Sequence, residues 1–319
     1  MNIFVTGSAG FIGSTLCHAL LEEGHTITGF DNFNDYYSVQ LKRDRHALLE
    51  SREGYTGIQG DLADTDCVMD SIGRGRFDVV VNLAAQAGVR YSIENPHAYQ
   101  ASNSLGFLNI LEACRHGNVP RCVYASSSSV YGGNTKLPFS EGDRVDTPIS
   151  MYAATKKANE LMAHTYTHLY KFQTIGLRFF TVYGPWGRPD MALWLFTKAM
   201  VAGEPINVFN NGEMLRDFTY IDDIVAGTKA AVLTDGLDPY EIFNLGNHRC
   251  EKLMDMIQTL SDALGIEPQM NMMPMQMGDV QATHADVKKA GEKLGFSPAT
   301  PISEGIPKFV AWYQDYHGI

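Results

Sequence analysis

The sequence predicts an α/β protein that is built on a doubly wound parallel sheet and carries a smaller, interleaved α+β region. Short apolar segments alternate with helical patterns through the first half of the chain. These segments are largely apolar throughout, which is typical of parallel strands covered by helices on both faces. The alternation ends after Arg178, where Gly and Pro become frequent and a different architecture is expected.

The elements of the first half follow one another in strand–helix order. The predicted strands are residues 2–6, 26–30, 55–59, 79–83, 122–126 and 174–178. The predicted helices are residues 11–23, 37–50, 63–72, 101–116 and 151–170. Ligands of such sheets bind at the carboxyl ends of the strands, so the residues that follow each strand are the first candidates for function.

The elements beyond residue 178 are shorter and less regular. We expect residues 241–245 to return to the large sheet, and residues 252–264 and 302–316 to form helices. The expected division is a sheet domain of residues 1–178, rejoined by about 211–246, and a second region of residues 179–210 and 247–319.

The composition argues against several classes of protein. The 319-residue chain has a net charge of −11, which argues against broad binding to nucleic acid or to anionic membranes. Its five cysteines include no Cys-x-x-Cys pair, so neither a disulfide framework nor a zinc site is expected, and a cytoplasmic location fits. We expect no signal peptide and no membrane span, because the N-terminus starts at once as a strand and no apolar run reaches about 18 residues.

A glycine-rich turn lies between the first predicted strand and the first predicted helix. Gly7, Gly10 and Gly13 are spaced three residues apart, with Phe11 and Ile12 between the last two. Such a turn lets a pyrophosphate approach the backbone and aims the helix N-terminus at its negative charge. A tight turn without a ligand is the alternative, but the position between strand and helix favours a dinucleotide.

The ends of the next strands supply further cofactor candidates. Asp31 follows the second strand with Asn32 beside it, and an acid there accepts from both ribose hydroxyls and repels a 2′-phosphate. We therefore expect NAD rather than NADP. Asp61 and Leu62 follow the third strand, where the adenine is expected. Leu83, Ala84 and Ala85 end the fourth strand, where small residues let the backbone approach the cofactor. The alternative for all of them is ordinary strand and loop termination.

The catalytic candidates follow the fifth strand. Tyr152 and Lys156 are one helical turn apart and share a face of the predicted helix 151–170. A nearby ammonium, together with a nicotinamide charge, is expected to lower the pKa of the tyrosine so that it takes a hydroxyl proton while hydride leaves the same carbon. Ser127, in a run of four serines, can donate to the same substrate oxygen, and Lys156 can also bind the nicotinamide ribose. The set predicts redox chemistry at a carbinol carbon.

Several strings of residues carry a resemblance to a known family. They are residues 6–13, 31–37, 84–92, 126–133, 178–189 and 216–223. With them the chain resembles the extended short-chain dehydrogenase/reductases of the NAD-dependent epimerase/dehydratase family, and within it the UDP-glucuronate 4-epimerases. The resemblance implies a Rossmann-like NAD-binding domain at residues 1–178, a nucleotide-sugar-binding second region, and a homodimer.

The resemblance also implies roles for individual residues. Tyr152 would be the base, Lys156 its activator and Ser127 its hydroxyl partner in a transient oxidation at sugar C4. The flat 4-keto sugar would turn over and receive the hydride on its other face, which converts UDP-glucuronate to UDP-galacturonate. The substrate carboxylate is expected to contact Arg188, Thr181 and Ser128, and Ser129 is a further substrate candidate. The diphosphate is expected to contact Arg216, Arg90 and Gln276, and the uridine ribose Asp279.

Three alternatives stay open. A UDP-glucose 4-epimerase would act on a neutral sugar and would not need Arg188. A UDP-glucuronate decarboxylase is disfavoured, because residues 128–132 contain no Asp or Glu that could act as a second base. A catalytically inactive NAD-binding protein is disfavoured by the intact Ser127, Tyr152 and Lys156.

A metal site is considered and rejected. Glu160, His164 and His168 recur every four residues on the predicted helix 151–170, but no ligand from a second element is indicated. The expected chemistry needs no metal, and none is predicted.

Overall fold

Thirteen strands form in the computed structural model, which describes residues 1–319. They are β1 (Asn2–Thr6), β2 (Thr26–Asp31), β3 (Tyr55–Gln59), β4 (Val79–Asn82), β5 (Arg121–Ser127), β6 (Gln173–Phe179), β7 (Thr181–Tyr183), β8 (Ile206–Phe209), β9 (Leu215–Arg216), β10 (Phe218–Tyr220), β11 (Tyr240–Leu245), β12 (Glu251–Lys252) and β13 (Met270–Met273).

Twelve α-helices connect and cover these strands. They are α1 (Phe11–Glu22), α2 (Val39–Glu50), α3 (Thr65–Gly73), α4 (Tyr91–Glu94), α5 (Pro96–Tyr99), α6 (Gly106–His116), α7 (Met151–Tyr170), α8 (Ala192–Val201), α9 (Ile221–Leu233), α10 (Leu253–Leu264), α11 (Lys288–Leu294) and α12 (Ile302–His317). None of them combines the length and the apolar character that crossing a bilayer would require.

Seven strands pair into one parallel sheet in the order β11-β6-β5-β4-β1-β2-β3. The chain leaves β1 toward β2 and β3 and then returns to the other side of β1 at β4, so the direction of winding changes between β1 and β4. The crevice at this change of direction is where open parallel sheets bind ligands. The prediction that residues 241–245 lie in the large sheet agrees with β11, which pairs with β6.

Side chains of β1 alternate between two cores, which confirms the doubly wound α/β architecture. Ile3 and Val5 are buried in one core with Leu16 of α1. Phe4, between them, is buried in the other core with Val68 of α3 and Ile110 of α6. Because successive side chains of a strand point to opposite faces, helices cover both sides of the sheet.

The helices of the first half begin where side chains cap them. Ser38 accepts from the Leu41 amide at the start of α2, and Asp64 accepts from the Cys67 amide at the start of α3. Both helices therefore start two residues later than predicted. The predicted helix 101–116 is divided into a π-helical segment, Gln100–Leu105, and α6.

The second region forms small pairs of strands around the carboxyl edge of the sheet. Strand β10 pairs with β7, β12 with β9, and β13 with β8. The predicted helices 252–264 and 302–316 correspond to α10 and α12. Helices α8, α9 and α11 are not anticipated from the sequence.

Candidate active site

A single large cavity opens at the carboxyl edge of the sheet. Its volume is about 1090 Å³, at the upper end of the range for ligand sites. The glycine turn, the ends of β2 to β6, the start of α7 and the second region all contribute to its wall. Every predicted cofactor and catalytic residue lines it, and so does every predicted substrate residue except Gln276.

The glycine turn is so tight that Gly7, Gly10 and Gly13 have no room for a Cβ atom. Gly7 has a φ of +70°, which favours glycine, and its amide donates to the Phe30 carbonyl at 2.8 Å. A Cβ on Gly13 would lie 2.0 Å from the Gly7 carbonyl oxygen, and one on Gly10 would lie 2.9 Å from it. Gly10 precedes α1 and offers no side-chain cap, so the helix N-terminus stays open toward the cavity.

Asp31 fixes the turn to the end of β2. Its carboxylate accepts from the Ala9 amide at 3.0 Å and from the Phe33 amide at 2.9 Å. The residue thus caps its own loop and also holds the glycine turn. Asn32 donates to Asp61 at 2.9 Å, which ties the ends of β2 and β3 together.

The catalytic candidates meet at the start of α7. Ser150 caps this helix by accepting from the Ala153 amide, which sets Tyr152 in the first turn. Ser127 ends β5 and accepts from the Ser129 amide at 3.1 Å. Lys156 is buried, and its ammonium donates to the Ala125 carbonyl at 2.9 Å.

Burial acts on the pKa values of both Tyr152 and Lys156. Desolvation raises the pKa of Tyr152, while the Ser127 hydroxyl and the Arg188 charge act in the opposite direction. Burial lowers the pKa of Lys156 to about 8. Without NAD the cost of desolvation dominates for the phenol, and the lowering expected from Lys156 together with the nicotinamide charge stays a prediction for the NAD-bound protein.

The charge of Arg188 acts on Tyr152, and Arg188 is already paired. Its Nε and Nη2 donate to the two carboxylate oxygens of Asp190. Asp190 also accepts from the Tyr36 hydroxyl at 3.2 Å. Burial alone would lower the pKa of Arg188, but the attraction of Asp190 outweighs it and raises that pKa. Thr181, at the start of β7, lines the same part of the cavity.

A second group of charges, Arg216, Arg90 and Asp279, also lines the cavity. Arg216 donates to the Leu215 and Gln281 carbonyls, and burial lowers its pKa. Arg90 approaches Asp279 at 3.4 Å, with its guanidinium over the ring of Phe209 at 5.0 Å.

Gln276 does not line the cavity, in contrast to the other predicted substrate residues. A turn in which the Asp279 amide donates to the Gln276 carbonyl, with Gly278 at a φ of +81°, brings Asp279 to the wall. The Oε1 atom of Gln276 is buried without a hydrogen-bond partner.

Comparison with known proteins now identifies the family. Residues 3–246 match the NAD dependent epimerase/dehydratase family. The chain belongs to this family. UDP-glucuronate 4-epimerase 2 of Arabidopsis thaliana is 47% identical over an alignment of 333 positions, gaps included. The alignment covers 99% of this chain and 76% of that protein.

Solved structures of epimerases share the whole fold. UDP-glucuronic acid 4-epimerase from Bacillus cereus, in complex with UDP-glucuronic acid and NAD, has a TM-score of 0.94 and 34% identity, and the match covers 99% of this chain and 100% of that one. UDP-glucose 4-epimerase from Thermotoga maritima, with UDP-glucose, has a TM-score of 0.89 and 29% identity over the same shares.

Many cavity residues of this epimerase/dehydratase are not singled out by the sequence, and they include Tyr36, Lys42, Asp190 and Phe209. Lys42 is buried and donates to the carbonyl and side chain of Asn34, and burial lowers its pKa to about 8. Its only sequence signal is a lysine in the helix after Asp31, which is too common a feature to identify it. The signal for Asp190 is its spacing of two residues from Arg188.

The helix face that suggested a metal has another role in this family member. Glu160 is buried and accepts from Arg178 through both carboxylate oxygens, at 2.8 and 2.9 Å. It also accepts from the Ser126 hydroxyl at 2.7 Å. Since Arg178 lies on β6 and Ser126 on β5, this pair fixes α7 to the sheet beneath the catalytic group.

Proposed function

We propose that this chain is a UDP-glucuronate 4-epimerase that interconverts UDP-glucuronate and UDP-galacturonate with bound NAD. One observation carries the proposal: the glycine turn, the group of Ser127, Tyr152 and Lys156, and the cation Arg188 all open onto one cavity. The identity to plant and bacterial proteins of that name supports the same reaction.

The residues of the chain fit NAD. The turn at Gly7 and Gly13 leaves no room for side chains, which allows a pyrophosphate to contact the backbone and the open N-terminus of α1. Asp31 faces the cavity where an adenosine ribose would need an acceptor. We assign cofactor binding to residues 1–178 with about 211–246, and nucleotide-sugar binding to residues 179–210 and 247–319.

Proton transfer is assigned to the start of α7. When bound, NAD supplies the hydride acceptor and a positive charge beside the phenol. Tyr152 removes the proton of the C4 hydroxyl and returns it after the sugar ring has turned. Ser127 donates to the same oxygen, and the buried Lys156 holds positive charge within one helical turn of the phenol. No Asp or Glu follows Ser127 within residues 128–132, which favours epimerisation over reactions that need a second base.

The remaining assignments concern the sugar end and the nucleotide end of the substrate. We assign the carboxylate to Arg188, with Thr181 and Ser128, because these residues line the same cavity as Tyr152, and we keep Ser129 as a further substrate contact. Arg216 and Arg90 are assigned to the diphosphate and Asp279 to the uridine ribose. Gln276 is given no contact, because it does not line the cavity.

A cytoplasmic homodimer is part of the proposal. Leu108 on α6, with Leu161 and Leu169 on α7, are exposed apolar side chains on neighbouring helices that a second copy could cover. All five cysteines are free thiols, which fits a reducing compartment.

The first test is proton NMR of UDP-glucuronate incubated with the purified protein and NAD. UDP-galacturonate should appear without a pentose and without net NADH. If UDP-glucuronate is unchanged and UDP-glucose is converted to UDP-galactose, the alternative of a neutral-sugar epimerase is correct.

The Arg188→Ala variant tests the carboxylate assignment. Loss of a charge-assisted hydrogen bond should lower kcat/KM for UDP-glucuronate by about 100-fold, which corresponds to about 3 kcal/mol. Arg144→Ala is the matched control, because Arg144 is exposed and pairs with Asp146 outside the cavity. Equal effects of the two variants would contradict the assignment.

A further inference from the structure

Arg188 is held from one side by residues of two separate segments. Asp190 takes the Nε and Nη2 protons of Arg188 in a fork, which leaves the remaining N–H groups for another acceptor. Tyr36, from the loop before α2, donates to the same carboxylate. The tyrosine ring is packed in turn against Tyr91, with ring centroids 4.9 Å apart.

The backbone around this group is fixed independently of Asp190. Arg45 is buried and donates to the carbonyls of Trp186 and Gly187, directly before Arg188. Gly88 has a φ of +102°, and a Cβ there would lie 3.0 Å from the Tyr36 hydroxyl and 3.8 Å from Asp190. Removing the Asp190 charge should therefore change the orientation of the guanidinium rather than the path of the loop.

An acidic sugar makes this orientation matter. Once C4 is a ketone, the C5 carboxylate belongs to a β-keto acid. Loss of carbon dioxide breaks the C5–carboxylate bond, its electron pair passes into the C4 carbonyl as an enolate, and C5 then takes one proton. No oxidant is consumed, so only geometry prevents the step. The step is slow while the breaking bond stays near the carbonyl plane, where it overlaps poorly with the carbonyl π system.

We propose that Asp190 and Tyr36 are positioning residues that orient Arg188, so that its free N–H groups hold the substrate carboxylate near the plane of the C4 carbonyl and suppress decarboxylation. This inference rests on the proposed function. Asp190 also carries a negative charge beside the substrate carboxylate, so it lowers the attraction that Arg188 exerts. The chain thus gives up some affinity for the acidic sugar in exchange for a defined carboxylate geometry.

The test compares products and affinity in Asp190→Asn and Tyr36→Phe. An amide cannot accept both protons of the Arg188 fork, so Asp190→Asn should raise the ratio of pentose to epimer about tenfold, and Tyr36→Phe about threefold. The KM for UDP-glucuronate and its calorimetric Kd should stay the same or fall, because a competing carboxylate is gone. A merely structural role would lower kcat and leave the product ratio unchanged.

Asp146→Asn is the matched control. Asp146 pairs with Arg144 at the same spacing of two residues, but both side chains are more than half exposed and lie outside the cavity. Its product ratio should equal that of the wild type.

The outcomes separate the two levels of the proposal. If wild-type protein does not epimerise UDP-glucuronate, the proposed function fails, and the inference fails with it. If the wild type epimerises and both variants keep its product ratio, only the inference fails. A KM raised in Asp190→Asn at constant product ratio would also overturn it, because Asp190 would then bind the sugar itself.

Discussion

Replacing Gly13 with alanine should weaken NAD binding strongly while leaving the sheet folded. A Cβ at this position would lie 2.0 Å from the Gly7 carbonyl oxygen and 2.8 Å from its carbon. Gly7 cannot retreat, because its amide is bonded to Phe30 and its other side faces the Ala84 amide. The clash therefore falls on the turn that is proposed to contact the pyrophosphate.

The size of the effect follows from these distances. Non-bonded contacts of carbon are most favourable at about 3.5 Å or more, so the turn must open by more than about 1 Å. Overpacking of this kind costs about 1–3 kcal/mol, and a distortion of about 3 kcal/mol that NAD must reverse raises its Kd more than about 100-fold.

Calorimetric titration of NAD and thermal unfolding measure the two consequences separately. Gly73→Ala is the matched control, because Gly73 ends α3 and a Cβ there meets nothing within 4 Å. That substitution should stabilise the fold by about 0.5–1 kcal/mol and leave NAD affinity unchanged. A Gly13→Ala variant that binds NAD within threefold of wild type would refute the reasoning.

Three further predictions concern α7 and the sheet beneath it. Tyr152→Phe should lower kcat about 1000-fold in the NMR assay without weakening NAD binding by calorimetry, and turnover within tenfold of wild type would contradict it. Burial lowers the pKa of Lys156 from 10.5 to about 8, so between these values the unfolded chain binds the extra proton. The difference in unfolding free energy between wild type and Lys156→Met, measured in urea titrations, should therefore rise from about pH 8 to about pH 10. The slope is at most about 1.4 kcal/mol per pH unit, and a difference that stays flat or falls with pH would contradict the prediction. Arg178→Met should cost about 3–5 kcal/mol in the same titrations by removing the buried cation that donates to both oxygens of Glu160, and the double variant with Glu160→Gln should cost less.

The first half of the fold could be predicted because its signals are local. Each strand is a short apolar segment, and the polar or glycine residues that follow the strands gather at one edge once the strands are parallel. This is why Gly7, Asp31, Ser127 and Tyr152 could be assigned to one site from their positions in the chain alone. Parallel pairing turns their separate positions in sequence into neighbouring positions in space.

Elements whose local signal is weak are not predicted from the sequence. Helix α9 follows β10 directly and has no side-chain cap at Tyr220, so its start is marked only by Asp222 and Asp223 in its first turn, which is a weak signal. The π-helical segment before α6 forms where the Asn103 side chain bonds both the amide and the carbonyl of Gln86. That contact joins two segments of the fold, and the periodicity of either one alone does not reveal it.

The two Arg-x-Asp pairs show the same limit at the level of function. Arg144 with Asp146 and Arg188 with Asp190 have the same spacing, so the sequence does not distinguish them, although only Arg188 donates to both oxygens of its partner. The first pair is solvated and contributes little to stability. The second differs through non-local contacts: the Tyr36 hydroxyl on its carboxylate, and the carbonyls that Arg45 holds in place. The role of a charged pair in this protein therefore depends on the segments that fold against it. Substitutions in those segments are expected to change the ratio of pentose to epimer without weakening the binding of UDP-glucuronate.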